Sequence, residues 1–85
     1  MSSGDYKIKA IAIYKYLLNA DKNHPITIPV IRDNLQKEYN ISTEVVTVYS
    51  DLKAIEIVDP RLKKVRGRRG QYNRYWIEKE ENDNG

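Results

Sequence analysis

The stretch Leu62-Lys63-Lys64-Val65-Arg66-Gly67-Arg68-Arg69-Gly70-Gln71-Tyr72-Asn73-Arg74-Tyr75-Trp76-Ile77 decides how this chain is read. Two strand-like runs, Leu62–Arg66 and Gln71–Ile77, flank Gly67-Arg68-Arg69-Gly70, so the segment predicts a β-hairpin whose tight turn is bracketed by glycines. In the second run Tyr72, Arg74 and Trp76 alternate with Asn73, Tyr75 and Ile77. The two-residue period of a strand then lets one face rest on a core while the other carries charge, with Trp76 as the expected packing anchor. The charge is concentrated here. Seven of the 15 basic residues, Arg61, Lys63, Lys64, Arg66, Arg68, Arg69 and Arg74, fall between Arg61 and Tyr75 with no acid among them, while all 12 acidic residues lie elsewhere. The chain is a mildly acidic body with one strongly basic segment, which points to a localised polyanionic partner, nucleic acid first.

Upstream the pattern is helical. From Asp5 to Asn19 the residues Tyr6, Ala10, Ile13, Tyr14, Leu17 and Leu18 recur at three- and four-residue steps, with Lys7, Lys9 and Lys15 between them, so an amphipathic helix is expected. A polar loop, Asn19-Ala20-Asp21-Lys22-Asn23-His24-Pro25, ends it, and Pro25 holds His24 extended. Thr27 is placed to cap a second helix with Pro29 in its first turn and Ile28, Ile31, Leu35 and Tyr39 as its buried stripe. Asn40 suits the left-handed residue that closes a helix, after which Ile41 can enter the core. Ser42 or Thr43 caps a third helix, residues 43–56, with the stripe Val45, Val48, Leu52 and Ile55, and Glu44 sits at the positive end of its macrodipole. Ile57-Val58 is a short apolar pair that Asp59-Pro60 interrupts. Three helices followed by a basic hairpin give an α+β fold of the winged helix-turn-helix type. The expected organisation is a flexible start over 1–4, one domain over 5–77 and a flexible acidic tail over 78–85.

Length and composition exclude much else. Eighty-five residues with 40% apolar and 32% charged content allow one small core. With no cysteine there is neither a disulfide framework nor a thiolate zinc site, and the single histidine, His24, has no second ligand beside it. No cofactor and no metal are expected. No Ser-His-acid set and no glycine-rich phosphate cradle can be assembled, so the chain is read as a non-enzyme. No run approaches the roughly 20 apolar residues of a membrane span. A soluble, cytoplasmic protein without membrane contact is expected.

The run from Ile13 to Ile77 resembles the N-terminal winged-helix domain of WYL-type bacterial transcriptional regulators, and more loosely DeoR-like regulators. Asp21-Lys22-Asn23-His24-Pro25-Ile26-Thr27 is similar to the loop leading into their second helix. Thr47-Val48-Tyr49-Ser50-Asp51-Leu52 is similar to the start of their recognition helix. The resemblance implies transcriptional regulation through double-stranded DNA. The chain departs from the family in carrying Val45 and Val46 where basic residues are usual and Ser50 in place of an arginine. Helix three also holds Glu44, Asp51 and Glu56 against Lys53 alone.

On this reading Thr43, Thr47, Ser50 and Tyr49 touch bases or phosphates, and Lys63, Lys64, Arg66, Arg68, Arg69 and Arg74 supply the positive charge. Asp51 orients a neighbour rather than reading cytosine. Val46, if exposed beside Thr47 and Ser50, is placed to meet a thymine methyl or a protein surface. A lone half-site reader binds weakly, so either a homodimer or a second domain beyond this one is expected. A second reading, from a different class, is a protein–protein module such as a phage-type inhibitor or adaptor, with its basic hairpin on an acidic partner. RNA binding through the arginine–tyrosine hairpin is a third.

Overall fold

The computed structural model describes residues 3–79. Its elements are α1 (Ser3–Leu17), β1 (Ile26–Thr27), α2 (Ile28–Tyr39), α3 (Val45–Val58), β2 (Leu62–Val65) and β3 (Arg74–Ile77). Among the described residues this is a small α+β fold with three helices and one three-stranded antiparallel sheet, compatible with a helix-turn-helix followed by a hairpin. One cluster forms the core: Ile13 and Leu17 from α1, Ile28, Ile31 and Leu35 from α2, Val48, Leu52 and Ile55 from α3, and Leu62, Tyr75 and Ile77 from the sheet. The expected stripes of α2 and α3 supply this core, except that Tyr39 is exposed and Val45 only half-buried.

The helix ends show where local chemistry decided and where packing did. α1 starts at Ser3, two residues ahead of the expected Asp5, and stops at Leu17. In the loop that follows, the Asp21 carboxylate accepts the backbone N–H groups of Asn23 at 2.9 Å and His24 at 2.8 Å, a turn that holds the exposed histidine in place. Thr27 is the N-cap of α2 in extended conformation, without a side-chain cap bond, and Asn40 closes the helix at φ 55°. Ile41 then donates its N–H back to the Leu35 carbonyl at 3.1 Å and packs against the core.

The N-terminus of α3 corrects the expectation. Neither Ser42 nor Thr43 caps it. The turn needs both residues to climb from the anchored Ile41, so Glu44 becomes the N-cap, and its carbonyl accepts the N–H groups of Thr47 and Val48 at 3.1 Å. At the other end Ile57 and Val58 form the last helical turn instead of standing apart from it. Pro60 disfavours helical geometry at Asp59, which takes φ −127° and ψ 97°.

The sheet order is β1-β3-β2. Leu62, Lys63, Lys64 and Val65 pair with Ile77, Trp76, Tyr75 and Arg74, and β1 adds Ile26↔Tyr75 and Thr27↔Arg74 on the other edge of β3. A two-residue strand carries no periodic signal, so β1 was not legible in advance. Tyr75 and Ile77 are the residues that fasten the hairpin to the helices. Trp76 is also buried, but on the opposite face of β3 with Arg74 and outside the core cluster, so the anchor expected of it falls to its neighbours.

Candidate nucleic-acid interface

At 100° per residue the outward row of α3 is Val46, Ser50, Lys53 and Ile57, and all four are exposed. Val46 is 71% exposed. Thr47 is half-buried beside this row, and Tyr49 stands on the side of α3 that faces the hairpin. The Lys53 Nζ lies 5.4 Å from the Tyr49 ring centroid, a cation–π contact that steadies both side chains. Tyr49 and Tyr72 line one cleft of about 340 Å³ together with Val45, Val46 and Gln71, so the start of α3 and the far limb of the hairpin meet there.

No acid stands in the outward row, although the helix as a sequence is acidic. Asp51 points away from it, with Oδ2 2.8 Å from the Nζ of Lys9 on α1. Lys9, which falls between the apolar residues of α1 and one helical turn before Ile13, is 5% exposed, its stem lying along the core while its ammonium meets this carboxylate. One of the negative charges of α3 is thus used internally.

Thr43 precedes α3 and is half-buried, and its carbonyl accepts the Arg32 Nε–H at 3.2 Å. Arg32 is exposed and lines a shallow notch with Pro29, Asp33, Ser42 and Thr43. Sequence reading passed over this residue because it lies on α2. Its signal was its position three residues beyond Pro29 and one helical turn beyond Ile28, at the edge of the buried stripe.

The hairpin tip is built by its two glycines, in different ways. Gln71 N–H donates to the Arg68 carbonyl at 2.7 Å, closing the turn Arg68-Arg69-Gly70-Gln71, and Gly70 inside it has φ +71°. Gly67 lies against the opposite limb: a Cβ there would collide with the Gln71 carbonyl oxygen, and its N–H donates to Asn73 Oδ1 at 3.0 Å. Lys63, Lys64, Arg66, Arg68, Arg69 and Arg74 are all exposed, and among the described residues none of the six enters an ion pair. They do not form one face. The register puts Lys64 on the side of Tyr75 and Lys63 and Arg74 on the side of Trp76, with the remaining three in the tip.

The seventh cation is withdrawn. Arg61 donates from Nε to Asp59 Oδ1 at 3.0 Å and from an Nη to Oδ2 at 2.8 Å, and the Tyr14 hydroxyl donates to Oδ2 at 2.6 Å. Hydrogen bonds from Arg61, then from Tyr14, hold the Asp59 carboxyl well below the usual carboxylate range. An unfolded chain protonates this group near about pH 3.9. Since the folded value is lower, the stability it contributes is complete above that pH and is lost as the pH falls from there toward the folded value. Urea midpoints of the native protein and Asp59→Asn should therefore differ at neutral pH and converge in strong acid. A constant difference would mean that the bonds around Asp59 contribute nothing that depends on its charge.

No protein-family model matches this chain, and no curated protein or solved structure matches it either. Among the described residues no group of three or more His, Asp or Glu side chains is placed to hold a metal ion, and no helix is long and apolar enough to cross a membrane.

Proposed function

We propose that this chain is a winged helix-turn-helix module that binds double-stranded DNA and acts as a cytoplasmic transcriptional regulator. α2 and α3 are the helix-turn-helix pair, α3 lies in the major groove, and the hairpin is the wing on the backbone or in the adjacent minor groove. The observation that carries this reading is the state of the six wing cations. They are exposed and, among the described residues, without ion pairs, whereas Lys9, Lys37 and Arg61 are each matched with an acid. Arg32 and Lys53 join the proposed contact surface, and Thr47, Ser50 and Val46 are its base readers.

The test is selection from a pool of random duplexes at near-physiological salt, followed by sequencing of the bound fraction. The native protein should enrich a defined site, and Thr47→Ala should relax one position of it by about 1–3 kcal/mol, which is roughly 5- to 150-fold in relative affinity. An unchanged preference removes Thr47 from the readers. The exposure of Val46 favours one competing reading, in which α3 and the wing grip an acidic protein surface. Binding that enriches no sequence and vanishes at physiological salt is the outcome that reading requires.

A further inference from the structure

The cleft between the start of α3 and the far limb of the hairpin has a lining unlike the rest of the contact surface. It holds no charged side chain: Tyr49, Tyr72, Val45 and Val46 make its aromatic and aliphatic part, and Gln71 and Asn73 bring two amides. Both rings are open to a ligand, Tyr49 being 37% and Tyr72 47% exposed. Both are also held in place. Tyr49 stands on a helix, with Lys53 Nζ 5.4 Å from its ring centroid. Tyr72 lies beyond the β2–β3 ladder, which ends at Val65↔Arg74, but its limb is fixed by the bond from Gly67 N–H to Asn73 Oδ1 and by the close approach of Gly67 to the Gln71 and Tyr72 carbonyls. That bond occupies Asn73. The exposed Gln71 side chain enters no hydrogen bond among the described residues, so its amide is free both to donate and to accept.

We propose that this cleft takes an unpaired nucleobase of DNA, which stacks on Tyr72 and Tyr49 while Gln71 meets its edge. The inference rests on the DNA binding proposed above and names the DNA it favours, a duplex with one nucleotide out of the stack. With α3 in the major groove and the hairpin over the adjacent minor groove, the strand that separates the two grooves runs past the mouth of the cleft. A phosphate gains nothing from two rings and two valines, and a paired base keeps its faces covered by its neighbours in the stack. An unpaired base in that strand offers a flat apolar face, a hydrogen-bonding edge, and a phosphate on either side for Lys53 and the wing cations. An aliphatic side chain of a protein would fill the cleft but leave those cations unmatched.

Anisotropy measurements on the full chain with three duplexes of one sequence test this: one fully paired, one with a single unpaired thymidine, and one with an abasic site in place of that thymidine. The last two have the same backbone and charge and differ in the base alone. The native protein should bind the unpaired thymidine about 5- to 150-fold more tightly than the abasic site, the usual range for one stacked base. That ratio should hold between about 50 and 200 mM salt, because both duplexes carry the same phosphates. Tyr72→Ala should bring the ratio close to one, and Tyr72→Phe, which keeps the ring, should restore it. Tyr72 is exposed and outside the core cluster, so both variants should keep the native circular dichroism spectrum.

Equal affinity for the thymidine and abasic duplexes overturns the proposal, and so does a preference that survives Tyr72→Ala. Where the fully paired duplex is still bound in either case, the function proposed above stands without this site. A preference for the unpaired base without binding of the paired duplex supports the cleft and overturns the regulatory function instead. Binding to none of the three overturns both.

Discussion

Raising salt from about 50 to 200 mM should weaken binding to duplex DNA about 500-fold, and replacing Arg68 and Arg69 together by alanine should reduce that loss to about 40-fold. The numbers follow from counterion release. Each phosphate neutralised contributes a slope of about −0.9 to the dependence of log affinity on log salt, so five contacts from the six wing cations give about −4.5. Removing two contacts leaves a slope of about −2.7, and at low salt the double variant should be the weaker binder for every sequence alike. The tip is the place to test, because Arg68 and Arg69 are exposed, make no ion pair among the described residues and belong to a turn that Gly70 and the Gln71 N–H close without their side chains. Salt dependence measured by fluorescence anisotropy decides it. An unchanged slope in the double variant would mean that the tip does not reach phosphate.

Asp51→Ala should lose about 2–3 kcal/mol of folding stability, because a buried lysine is deprived of its carboxylate while nothing apolar fills the space. Lys9 cannot turn out to water without withdrawing its stem from between α1 and α3, and Asp51 keeps only 24% of its side chain exposed. For a domain of this size the loss is a large share of the total stability of about 4–13 kcal/mol. The paired replacement Lys9→Met with Asp51→Leu should recover most of it, since two apolar side chains of similar volume suit this site better than a buried ammonium that has lost the Asp51 carboxylate. Urea denaturation of the three variants measures the difference. The DNA site selected by Asp51→Ala should be unchanged. Native stability together with an altered site would make Asp51 a base reader after all.

The contrast between Asp51 and the wing shows what the sequence discloses and what it withholds. Patterns confined to one element were legible: the stripes Ile28–Ile31–Leu35 and Val48–Leu52–Ile55, the left-handed Asn40, and the glycine-rich tip each follow from rules that act within a few residues. Partners brought together from different elements were not legible. Lys9 falls between the apolar residues of α1 in the sequence, and only the approach of α3 shows that its charge is met inside the fold. Arg61 looked like part of the basic segment until the chain reversal at Asp59-Pro60 and the arrival of Tyr14 bonded its guanidinium. Trp76 and Tyr75 are neighbours of similar character, and the choice of which faces the helices is a matter of register, set by the pairing of Leu62 with Ile77. For the proposed interface, the six hairpin cations and Thr43, Thr47, Tyr49 and Ser50 came from sequence. Arg32 and the orientation of Asp51 needed the packed molecule.

The place of β3 between β1 and β2 has a kinetic meaning. Ile26 and Tyr75 are roughly 50 residues apart in the chain, so their pairing is a contact whose loop-closure entropy is met only after the helices between them have gathered. The β3 backbone is hydrogen-bonded on both edges, and its Tyr75 and Ile77 side chains sit in the helical core. The stalk of the hairpin therefore cannot peel away as an independent unit. In native-state hydrogen exchange its amides should open only with the whole domain, while the amides of the tip exchange quickly, so that the arginines ride on a loose end clamped to the slowest-opening part of the protein.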